Sequence, residues 1–300
     1  MRFVTVKKGE TTFVGVVDDT VTKVVYLQEA QQEMMGKVRI PNTMIECIEA
    51  GDDFLTQAEE VVKWTYEQPQ PIGLYNIEEI TLLAPIPYPR KNIMCIGKNY
   101  REHAIEMGGV TDIPEYPLFF TKAPTTVIGH GSYIASHQAV TDQVDYEGEL
   151  AIIIGKRGTA ISKEDAYSYV FGYTIINDVS ARDLQSRHKQ YFLGKSLDTF
   201  CPIGPVIIHQ SSIANPHDLT IETKVNGEVR QSSHTSKMMF DIPTILSVLS
   251  QGMTLEPGDI ISTGTPEGVG KGFQPPRYLK TGDVIEITVE NIGTLVNEVK

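Results

Sequence analysis

The sequence predicts an α+β fold that is mostly β. Three observations carry that prediction. Short β-branched and aromatic runs recur along the chain, bounded by Gly, Asp, Asn and Pro. Segments with helical period are few and do not alternate regularly with the strands, which argues against a βαβ array. Asn226-Gly227 between two strand-like runs is the strongest short hairpin signal in the chain.

Arg2 to Lys7, Thr12 to Val17 and Val21 to Leu27 read as a small meander, with turns at Lys8-Gly9-Glu10 and Asp18-Asp19. Residues 28–67 read as helical. Asn42-Thr43 can cap a helix at Met44, and Phe54 to Tyr66 has helical spacing. Prolines then cluster at Pro69 and Pro71 and again at Pro85, Pro87 and Pro89. A boundary is expected there, giving a small N-terminal α/β domain over 1–80 and a larger domain over 81–300.

Beyond the boundary, Asn92 to Ile96 reads as a strand. Tyr100 to Met107 reads as a helix stopped by Gly108-Gly109. Leu118 to Lys122, Gly148 to Ile154, Val170 to Ile176 and Val206 to Ile208 are apolar runs of strand length. Thr220 to Val225 and Glu228 to Gln231 form the hairpin. Asp241 caps a helix reaching about Ser250, with Pro243 in its first turn. Pro257-Gly258-Asp259 and Thr281-Gly282-Asp283 are turns, each leading into a β-branched run.

The 41% hydrophobic and 21% charged fractions are those of an ordinary globular protein. The net charge of -12 disfavours nucleic-acid binding, which needs a basic face. Cys47, Cys95 and Cys201 form no CxxC, as expected of reduced thiols in a cytoplasmic protein. The polar, alternating N-terminus is no signal peptide, and no apolar run is long enough for membrane insertion.

Four groups of residues point to chemistry. Glu147 and Glu149 lie two apart on one apolar strand and so share a face, and Asp178 ends another apolar run. Such acids are solvated strand ends paired with Lys156 or Arg182, or they hold a cation. Three oxygens without His or Cys suit Mg or Mn better than Zn. His103 and Glu106, three apart on a helix, can form an oriented imidazole or an inconsequential surface pair. The Gly-Gly stop beyond them, with Pro114 and Pro117, suits a mobile lid. Arg182, directly after Asp178, and Lys195 can bind a carboxylate or simply begin a charged helix. Thr263 to Gly272 is glycine-rich but has the wrong spacing for a phosphate loop. Its N–H groups and the Thr265 hydroxyl can face a small anion or a turn array.

The segments GKNYREHAIEMG, DYEGELAIIIGK, GYTIINDVSARDLQ, GKSLDTFCPIGP, KVNGEVRQ and LEPGDIISTGTPEGVGKG together resemble the fumarylacetoacetate hydrolase family over about residues 84 to 295. The resemblance implies a mixed β-sandwich or roll core and a homodimer. It implies Mg or Mn on Glu147, Glu149 and Asp178, and a catalytic group of His103, Glu106 and Lys195. It implies substrate contacts from Lys122, Arg182, Gln185 and Thr265. The N-terminal extension looks unlike that of the founding enzyme and resembles the members that decarboxylate oxaloacetate. The expected reaction is therefore metal-dependent C–C cleavage of a small keto acid, with oxaloacetate going to pyruvate through an enolate. The alternatives are hydrolysis of an acylpyruvate or fumarylpyruvate, isomerisation or decarboxylation of a heptadiene dioate, and a regulatory binding protein that retains the site.

Overall fold

The computed structural model describes residues 1–300. Strands dominate and gather into two main sheets. The larger runs, in spatial order, through Leu74–Asn76, Lys23–Tyr26, Thr11–Val17, Arg2–Lys8, Cys201–His209, Val170–Asn177, Gly148–Ile154, Ile260–Ser262, Ile93–Gly97 and Leu118–Lys122. Two short strands, Thr81–Leu82 and Val127–Ile128, pair beside this path. The second sheet orders Glu228–His234, Thr220–Val225, Val284–Val289, Gly293–Val299 and Tyr133–Ile134.

The N-terminal meander forms as the β-branched runs predict, and it joins the large sheet. Arg2 faces Ile208 and Phe3 faces Ile207 across an antiparallel pair. The third strand ends at Tyr26 rather than Leu27, because a helix begins there, Leu27–Met35. Two more helices follow, Met44–Glu49 and Gly51–Glu67. Thr43 caps the first of them with a reciprocal box: its side chain accepts from Glu46 N–H, and Glu46 reaches back to Thr43.

The central strands Gly148–Ile154 and Val170–Asn177 are buried at every position, so the large sheet buries both faces. On one face, Phe54, Ala58 and Val61 of the long N-terminal helix share a core with Ile153, Phe171, Ile176, Ile203, Ile207 and Ile260. On the other, Leu150, Ile152 and Ile175 meet Ile221, Ile285, Ile287 and Leu295 of the second sheet. Residues 1–80 therefore supply their own strands and helices while sharing a sheet and a core with the rest of the chain. The helix Ile242–Ser250 is capped by Asp241, which accepts from Thr244 N–H at 2.8 Å. In the hairpin turn, φ is 53° at Asn226 and 77° at Gly227, the left-handed pair that this dipeptide favours. No helix is long and apolar enough to cross a membrane.

Candidate active site

The site forms where the large sheet meets the loop after Ile260–Ser262. The strand Gly148–Ile154 begins beside Asn177, at the end of Val170–Asn177, so the acids at both strand ends converge. One ligand oxygen each from Glu147, Glu149 and Asp178 lies within 4.8 Å of the others, and all three residues are buried. Solvated strand ends are thereby ruled out for the trio.

Three cations are buried with them. Lys195 donates from Nζ to Glu147 Oε2 and Asp178 Oδ2, both at 2.7 Å. Arg182 pairs through Nη1 with Glu147 Oε1 at 2.7 Å and through Nε with Asp145 Oδ2 at 2.8 Å. Lys122 donates to Asp178 Oδ1 at 2.6 Å and to the Val179 carbonyl at 3.0 Å. Burial works against ionised Glu147, but Lys195 and Arg182 outweigh it and hold the carboxyl far below the usual range. Burial likewise opposes the charge of Arg182 and Lys195, and the facing carboxylates more than restore it.

Glu149 differs. It has no cationic partner; its Oε2 accepts from Ser262 Oγ at 2.5 Å and from Gly264 N–H at 2.8 Å. Burial, then the neighbouring Asp178 and Glu147, push its carboxyl well above the usual range. The four buried acids Asp145, Glu147, Glu149 and Asp178 thus face three buried cations. A divalent cation fits this donor set: all-oxygen, anionic, convergent and short of positive charge.

His103 and Glu106 sit on the helix Arg101–Gly108, one turn apart as the spacing predicts. His103 is buried, and its Nδ1 lies 3.3 Å from Glu106 Oε2. Glu106 also accepts the N–H of Gly268. Gly272 lies so close that a Cβ there would stand about 2.0 Å from Glu106 Oε1. The pair is thereby packed against the glycine-rich loop. It is no surface ornament.

A cavity of about 330 Å³ opens over the cluster, lined by His103, Glu147, Glu149, Arg182, Lys195 and Thr265 among others. Gln185 lines it too and accepts from Arg182 Nη1 at 3.1 Å. Lys122 departs from expectation. It is fully buried beneath Asp178, whose oxygen it holds, and it does not line the cavity. The glycine-rich loop departs as well. Its N–H groups serve the protein's own carboxylates: Gly264 donates to Glu149, Gly268 to Glu106, and Gly270 and Lys271 to Asp145. The Thr265 hydroxyl donates to the Gly148 carbonyl at 3.0 Å and accepts from Gln231 Nε2 at 2.7 Å.

Two residues of this assembly escaped sequence reasoning. Asp145 accepts from Arg182, Gly270, Lys271 and its neighbour Tyr146. Its signal was present, because it lies in phase with Glu147 and Glu149. Gln231 reaches across from the second sheet, accepting the Gly148 N–H at 3.0 Å while it holds Thr265. Nothing local marks it.

The family model for the fumarylacetoacetate hydrolase C-terminal domain matches residues 92–300. The chain belongs to the fumarylacetoacetate hydrolase family. Along its whole length it is 56% identical to the whole of YisK of Bacillus subtilis strain 168, named an oxaloacetate tautomerase. The resemblance to oxaloacetate-acting members expected from the sequence is therefore found, although that relative carries the name of a tautomerase and not of a decarboxylase. Among solved structures, a fumarylacetoacetate hydrolase from the psychrophilic Exiguobacterium antarcticum superposes with a TM-score of 0.82 at 40% identity, covering 100% of this chain and 99% of the other. A maleylpyruvate hydrolase from Sphingobium sp. SYK-6, solved with manganese(II) and pyruvate, gives a TM-score of 0.77 at 28% identity, covering 100% and 98%. The α+β, mostly β fold expected from the sequence is the fold of these relatives.

Proposed function

We propose that this chain is an enzyme that interconverts the enol and keto forms of oxaloacetate, with Mg or Mn held by Glu147, Glu149 and Asp178. One observation carries the reading. A buried, all-carboxylate cluster and an imidazole held by Glu106 meet in a single cavity. The choice of substrate leans on YisK, similar along the whole chain. A divalent cation in the cluster would supply Lewis acidity against negative charge on a 2-keto oxygen.

The residues divide the remaining work. Glu106 is an acceptor, so it keeps a proton on Nδ1 of His103 and leaves Nε2 to take or return one. In ketonisation the enol loses its O–H proton and C3 gains one; we assign the C3 transfer to Nε2. Lys195 and Arg182 keep Glu147 ionised. Arg182, Gln185 and Thr265 hold the keto-acid end, and Lys122 acts through Asp178 without touching substrate.

Decarboxylation of oxaloacetate to pyruvate is a second reading. The Lys195 ammonium, 2.7 Å from both Glu147 and Asp178, favours it, since loss of CO2 leaves an enolate that needs nearby positive charge. We also take the chain to be a homodimer, on family resemblance. Residues 1–80 form a unit that buttresses the sheet from behind; the cavity lining begins at Ile96.

The test is a pair of assays on one sample with Mn or Mg, each corrected for the metal-only rate. Enol decay and pyruvate release are followed separately. Enol decay accelerated far beyond pyruvate release supports the first reading. The reverse supports the second, and no excess in either assay overturns both.

A further inference from the structure

We infer that Lys271 anchors a second carboxylate subsite, so that the cavity selects 2-keto acids carrying two carboxylates over those carrying one. The inference deepens the function proposed above and rests on it for the placement of the keto-acid end.

Five cationic side chains line the cavity: Lys98, Arg182, Lys189, Lys195 and Lys271. Four have an evident employment or position. Arg182 and Lys195 hold the buried carboxylates. Lys98 is paired with Asp112, and Lys189 is exposed at the rim. Lys271 is half-buried and has no carboxylate partner. Asp145 lies near it but accepts its backbone N–H, at 3.0 Å. Burial, then Arg182, hold its ammonium below the usual lysine range.

Arg182 shows the matching deficit. Its Nε and Nη1 are used, while Nη2 is buried without a hydrogen-bond partner. A guanidinium with an unpartnered N–H and a half-buried ammonium repel each other in a partly desolvated cavity. A carboxylate beside Lys271 would relieve the repulsion and give the ammonium, a point charge, the counter-charge it lacks, while Arg182 stays with the keto-acid end. Asp145 ties the two segments together, since its Oδ2 accepts both Arg182 Nε at 2.8 Å and the backbone N–H of Lys271 at 3.0 Å. The metal cluster takes one end of a short keto acid, and Lys271 stands where a carboxylate at its other end arrives.

The test measures binding to the Mn-loaded protein. Oxalate probes the keto-acid end alone. Difluoro-oxaloacetate, with both C3 hydrogens replaced by fluorine, adds the second carboxylate and cannot enolise. Lys271→Met should weaken difluoro-oxaloacetate binding about ten-fold or more, with oxalate affinity unchanged within about two-fold, and Lys271→Arg should recover part of the loss. Equal weakening of both ligands, or of neither, overturns the inference. Turnover is read separately. A dianion preference that depends on Lys271, in a protein that does not interconvert enol and keto oxaloacetate, leaves the subsite standing and removes the reaction. Active protein whose Lys271→Met variant keeps its affinity for both ligands does the opposite.

Discussion

Asp145→Asn is the substitution that tests the site's architecture most severely, because the side chain keeps its shape and loses only charge and acceptors. Asp145 Oδ1 accepts from Tyr146 N–H at 3.0 Å and Gly270 N–H at 2.7 Å. Oδ2 accepts from Arg182 Nε at 2.8 Å and Lys271 N–H at 3.0 Å. An amide has one acceptor oxygen. Whichever way Asn turns, its NH2 must face two N–H donors, so two buried hydrogen bonds are lost and two donors are stranded. Stranding a buried donor costs about 1–3 kcal/mol, and breaking a buried ion pair about 3–5 kcal/mol. Arg182 retains Glu147, which lowers the ion-pair cost, and that cost already includes one of the stranded donors; the other adds about 1–3 kcal/mol. We therefore expect a loss of about 3–5 kcal/mol. Urea denaturation followed by circular dichroism, with unchanged slope, measures it. The loop from Gly268 to Gly272 should loosen with it, seen as faster amide exchange at Gly270 and Lys271. A loss under about 1 kcal/mol would refute the reasoning, since the donors would then have found other partners.

Three further outcomes are expected. Glu149→Gln should abolish Mn binding, measured by titration calorimetry, while the protein stays folded, because Ser262 and Gly264 can still donate to the amide oxygen. The three thiols should be silent to a disulfide reagent at mildly alkaline pH and all three should react in denaturant; Cys47, Cys95 and Cys201 are buried, and burial pushes Cys47 and Cys201 up to about 12. Deletion of residues 1–80 should abolish cooperative folding, because it uncovers Ile153, Phe171, Ile203, Ile207 and Ile260 together. A truncated chain with a sharp thermal transition would contradict that.

What the sequence made legible was local. Gly148–Ile154 and Leu118–Lys122 begin and end where their apolar runs do, and Thr220–Val225 ends at the Asn226-Gly227 turn. The trio and the His103–Glu106 pair were legible because two-residue and three-residue spacings fix shared faces on a strand and a helix. The strand Cys201–His209 runs well beyond the predicted Val206 to Ile208. Pro202, Gly204 and Pro205 argue against a strand there, yet the neighbouring strand absorbs them with a register shift between Tyr173 and Ile175. Long-range partners were not legible. Nothing near Arg2 announces Ile208, and nothing near Lys122 distinguishes an ammonium that lines a cavity from one that holds Asp178 from beneath. The loop N–H groups offered an anion site in sequence because the acids that take them, Glu106 and the pair Asp145 and Glu149, come from two other segments.

The central claim is that a divalent cation on Glu147, Glu149 and Asp178 and a proton carried by His103 act on the same substrate. Solvent deuterium entering C3 of oxaloacetate, followed by NMR, measures it directly. The Mn-loaded protein should exchange C3 hydrogen well above the rate with Mn alone. His103→Ala should bind Mn with unchanged stoichiometry and lose about a hundred-fold or more of that excess. Exchange undiminished in His103→Ala, or a variant that no longer binds Mn, would contradict the account.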